Sequence, residues 1–63
     1  MDKKTAIEAA NLLQEMNECE LLIDRLSKLK GELDSEELED IILKAINDIK
    51  DYKYGLDDSL NDL

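Results

Sequence analysis

Sixty-three residues with one cysteine and no histidine exclude both an internal disulfide and a zinc staple. A chain this short then draws its stability from well-formed helices, from oligomerisation or from a partner. The net charge of −9 is uneven: residues 1–30 carry six acids and five bases, residues 31–63 eleven acids and three bases. Such a balance repels nucleic-acid phosphates and anionic membranes and suits basic protein partners.

Leucine, isoleucine, alanine and charged helix formers dominate, while proline, valine, phenylalanine and tryptophan are absent. The first helix is expected to start near Thr5, where Thr5 and Glu8 fit a capping box, with Asp2 as a rival cap. Ala9, Leu12, Met16, Cys19, Ile23 and Leu26 then recur at spacings of three and four, the seam of a left-handed helix pair. Lys28 and Lys30 suit the last turn, and Gly31 is expected to cap it in the left-handed conformation.

The second helix is expected to be capped by Asp34, with Glu37 three residues on. Its seam reads Leu38, Ile42, Ala45, Ile49 and Tyr52, with Ile41 and Ile46 as flanks. Tyr54 and Gly55 are expected to end it, because Asp57, Asp58 and Asp62 place negative charge at the negative end of the dipole. The fold class is therefore all-α: an antiparallel two-helix hairpin, about 5–30 and 35–54, in one domain spanning 1–63. Residues 55–63 form an acidic tail expected to fray.

The apolar arcs of both helices are wider than one neighbour covers. On the first helix Glu8 and Glu15 give way to Leu22 and Leu29 along one edge. The economical solution is a homodimer of hairpins forming a four-helix bundle. The residues expected to carry self-association are Leu12, Met16, Cys19, Ile23, Leu26, Leu38, Ile42 and Ile49. A second surface, for a protein partner, is assigned to Leu22, Leu29, Glu36, Glu39, Asp40, Asp48 and Tyr54.

No constellation for chemistry stands out. Cys19 lies within the seam and has no histidine to activate it, so it reads as a small buried hydrophobe. The carboxylates lack the histidines of a di-iron bundle and the glycine-centred spacing of a calcium loop. No catalytic residue, metal site or cofactor is assigned. The lysines form no stripe with aromatics between them, which argues against nucleic acid. No run approaches a membrane span and the first residues lack the apolar run of a signal peptide, so a cytoplasmic protein is expected.

The run from Glu32 through Leu33, Asp34, Ser35, Glu36, Glu37, Leu38, Glu39 and Asp40 to Ile41 resembles the inter-helix turn of the Rop family, small plasmid RNA-binding proteins that dimerise into four-helix bundles. The resemblance covers about ten residues and implies a dimeric bundle. The first helix departs from that family, with no phenylalanine and no amide-and-lysine face for RNA. The expected function is a non-enzymatic protein–protein interaction module, a small acidic regulator or inhibitor of the kind that phages and mobile elements encode. The alternatives are an acidic decoy that fills the basic groove of a nucleic-acid-binding protein, and a Rop-like RNA-binding bundle.

Overall fold

Apolar residues spaced three and four apart in each half of the chain turn one face of each helix toward the other. In the computed structural model, which describes residues 1–63, α1 runs Lys3–Glu32 and α2 runs Glu36–Asn61. Residues 33–35 are the whole connection. Low-numbered residues of α1 meet high-numbered residues of α2: Tyr52 reaches Glu15, and Lys53 reaches Glu20. The helices are therefore antiparallel, and both chain ends lie at the end of the rod opposite the turn. The rod measures 51 × 15 × 10 Å.

Local chemistry sets the helix ends, not always at the expected residue. Asp2 is the cap of α1, its carboxylate accepting from the Thr5 N–H at 2.7 Å. Helix α1 therefore begins one turn before a Thr5 cap would place it. At the other end Gly31 is helical and no residue adopts a left-handed φ. The chain leaves α1 instead through an extended Leu33, whose N–H donates to the Lys30 carbonyl at 3.3 Å. Ser35, one residue beyond the expected Asp34, caps α2 by accepting from the Leu38 N–H at 3.4 Å.

On α1 the expected seam is the observed one. Cys19 is buried, 6 % exposed, and Ala9, Leu12, Met16, Ile23 and Leu26 are half-buried. On α2 the register differs. Ile42 and Ile49 are half-buried as expected, but Ile46, read as a flank, is buried at 5 % exposure. Leu38 and Tyr52, read as seam, are largely exposed. The column that packs is Ile46, Lys53 and Leu60, while of Leu38, Ala45 and Tyr52 only Ala45 is half-buried as expected. Ile46 and Leu60 bury more apolar area than Ala45 and Ser59 at the corresponding levels, which favours this rotation.

Helix α2 does not stop at Gly55. It continues to Asn61, with Leu56 buried at 8 % exposure and Leu60 half-buried. Ser59 donates its hydroxyl to the Gly55 carbonyl at 3.1 Å inside this last stretch. A helical glycine costs about 1 kcal/mol and an unfavourable terminal acid about 0.3–1 kcal/mol. Burying leucine side chains at roughly 1.5–3 kcal/mol each offsets that, so the acidic tail is helix.

Candidate docking face

Closing the hairpin leaves a groove between the helices on each side, and the two grooves differ in chemistry. The first is lined by Glu15, Glu18, Cys19, Leu22, Asp48, Ile49 and Tyr52. Three carboxylates stand around an apolar floor, with no cation among them. The second is lined by Glu20, Ile23, Asp24, Ser27, Lys50, Lys53 and Tyr54. There two carboxylates meet two lysines, and Lys53 donates to Glu20 at 2.7 Å.

The apolar floor of the first groove continues toward the turn. Leu22 and Leu29 lie seven residues apart on α1, in the column that carries Glu8 and Glu15 nearer the chain ends. Facing them from α2 are Leu38 and Ala45, again seven apart, with Ile41 beside them. Leu22 is 48 % exposed, Leu29 43 %, Leu38 48 % and Ile41 57 %. These side chains form one stripe that the hairpin itself does not cover. Glu18 and Arg25 stand beside Leu22 on its outer edge.

One contact ties the acidic groove together at its far end. The Tyr52 hydroxyl donates to Glu15 Oε2 over a long 3.5 Å. The charge of Glu15 raises the Tyr52 phenol above its ordinary value, because a phenolate there would face a carboxylate. On the opposite side the hydrogen bond to Glu20 raises the Lys53 ammonium above its ordinary value. At the foot of α1 the Thr5 N–H lowers the Asp2 carboxyl below its ordinary value.

The residues assigned to self-association divide in two. Leu12, Met16, Cys19, Ile23 and Leu26 face Ile42 and Ile49 within one chain, forming the hairpin's own seam. Leu38 belongs instead to the exposed stripe with Leu22 and Leu29. The assigned partner surface also divides. Leu22, Leu29 and Asp48 share the acidic side, whereas Tyr54 lines the opposite groove. Glu36 and Asp40 lie on the columns that lead to Tyr54, and Glu39 is half-buried at the first level of the seam.

Glu15, Glu18, Ile41 and Tyr52 belong to this face without having been assigned to it. Their signal was present in the alternation of Glu15 with Leu22 at heptad spacing. It is readable only once the rotation of α2 is known. No three of the acids and the cysteine gather as metal ligands, and no helix is long and apolar enough to cross a membrane. The chain matches no protein-family model, and no curated protein or solved structure matches it significantly.

Proposed function

We propose that this chain is a non-enzymatic docking module, a small acidic regulator or inhibitor that works by laying one face of its hairpin against a protein. One observation carries the reading: Leu22, Leu29, Leu38 and Ile41 share a face and stay about half exposed after the two helices have closed. Contiguous apolar surface rimmed by polar residues marks interaction sites on soluble chains. Burial of such a stripe at about 25 cal/mol per Å² is a sufficient driving force for association.

The test compares the full chain with Leu22→Asp/Leu29→Asp, both as immobilised bait and in sedimentation. Both positions are exposed, so helicity should be unchanged. Association with another protein should be present for the parent chain and lost for the variant. Equal retention by the two would sink the reading.

Self-association into a four-helix bundle is the second reading. Its support is that the seam residues Leu12, Met16, Ile23, Leu26, Ile42 and Ile49 are only half-buried within one hairpin. A second hairpin would cover what remains of them. Sedimentation across a concentration series separates the two, since a docking module alone is monomeric.

A further inference from the structure

Resting on the docking reading, we propose that the occupant of the Leu22 face is an amphipathic helix of another protein with basic residues along its flanks, and not a second copy of this chain. Charge is the first argument. The groove floored by Leu22 and Ile49 carries Glu15, Glu18 and Asp48 against a single cation, Arg25 on the outer edge of Leu22, whereas the opposite groove balances Glu20 and Asp24 with Lys50 and Lys53. The chain thus leaves a net negative balance beside the exposed leucine stripe, strongest at its Glu15 end. Lysines or arginines flanking an incoming apolar stripe answer that pattern.

The second argument is the arrangement of the α1 column, which reads Glu8, Glu15, Leu22, Leu29 toward the turn. A second hairpin laid head to tail in full overlap on this face sets Leu29 against Glu8 and Leu22 against Glu15. One laid in the same direction matches leucine to leucine but brings Glu15, Glu18 and Asp48 of the two copies together. Either arrangement opposes burial with repulsion or with desolvated carboxylates. A foreign basic helix meets neither obstacle.

The third argument is size. From Glu15 to Leu29 the face is about 21 Å long at ~1.5 Å per residue. That matches roughly four turns of helix, with anchors at the usual three- and four-residue spacing.

The experiment uses the full chain and two synthetic helical peptides of about 18 residues with one leucine stripe, flanked by lysines in one and by glutamates in the other. Binding is followed by fluorescence anisotropy at low and high salt, and the chain alone is sedimented. The lysine-flanked peptide is expected to bind at least about tenfold more tightly than the glutamate-flanked one, and more weakly as salt rises. Leu22→Asp, with unchanged helicity, is expected to lose about tenfold or more of that binding even though it adds a negative charge. Neutralising the distant tail, Asp57→Asn with Asp58→Asn, should leave the affinity within about twofold.

Stronger binding by Leu22→Asp would reveal plain charge attraction and overturn the proposal. Equal affinity for both peptides, lost in Leu22→Asp, would overturn the basic occupant and leave the docking face standing. A dimer of the parent chain that Leu22→Asp dissolves would do the same in favour of a second copy. Indifference of both peptides and of the oligomeric state to Leu22→Asp would remove the occupant and the docking face together.

Discussion

Lys53 crosses from α2 to Glu20 of α1, its ammonium 2.7 Å from Oε1, at a seam level where the spacing from Ile49 to Leu56 asks for an apolar residue. The lysine stem fills that level while its charged head reaches the rim. The pair is exposed on the Glu20 side, and exposed ion pairs contribute little. Lys53→Met should therefore unfold at the same temperature or higher, followed by circular dichroism. A clearly lower midpoint would mean that the ion pair outweighs the apolar replacement.

Alkaline pH should act on two contacts at once. Tyr52 and Lys53 both have raised values in the folded chain. A group raised on folding adds stability that is complete below its unfolded value and lost as pH climbs through the folded one. Helix content should thus fall as pH rises beyond about 10, the ordinary range of both groups. Glu15→Gln removes the main cause at Tyr52, so tyrosinate absorbance should develop at lower pH in that variant. An unmoved titration would show that Glu15 does not govern Tyr52.

Acid acts at the other cap. The Asp2 carboxyl is lowered by its bond from Thr5, so its contribution is present above the ordinary carboxylate value near 3.8 and lost as pH falls below it. Hydrogen exchange at the amides of residues 3–6 should quicken in acid, and Asp2→Ala should show the quickened rate already at neutral pH. If Thr5 were the cap instead, Asp2→Ala would leave those amides unchanged.

The rotation of α2 predicts which leucines and isoleucines hold the hairpin. Ile46→Ala removes a buried side chain and should cost about 2–5 kcal/mol, enough to unfold so small a hairpin. Leu38→Ala, at an exposed position, should change stability by under about 1 kcal/mol. The two are compared by urea unfolding monitored through helicity. The opposite order would restore the register in which Leu38 and Tyr52 face α1.

Gly55 lies inside α2 with an ordinary helical φ, and a side chain added there meets no atom within 4 Å. Gly55→Ala should therefore stabilise the chain by roughly 0.5–1 kcal/mol. Any destabilisation would mean that α2 bends or ends at this residue.

The α1 seam was legible because Ala9, Leu12, Met16, Cys19, Ile23 and Leu26 alternate strictly between threes and fours. In α2 two columns compete. Ile42, Ile49 and Leu56 belong to either, and the choice between the column of Ile46 and that of Ala45 rests on packing volume at the contact, which spacing does not report. The Gly55 break was inferred from local propensity, which tertiary burial of Leu56 and Leu60 overrides, and at Gly31 the chain leaves through an extended Leu33 in place of a left-handed cap. The docking face inherited the same ambiguity: Leu22 and Leu29 were readable as an exposed edge, but their neighbours on α2 were not until the rotation was settled.

The short link of residues 33–35 also decides how the hairpin is presented. Leu29 and Leu38 stand close to that link, while residues 1 and 63 lie at the rod's foot, so anything joined to either end is held at the far side of a 51 Å span. A tag, a tether or a neighbouring fold attached there leaves the leucine stripe unobstructed. The chain is built as a spur: it can be anchored at its base and still offer its tip.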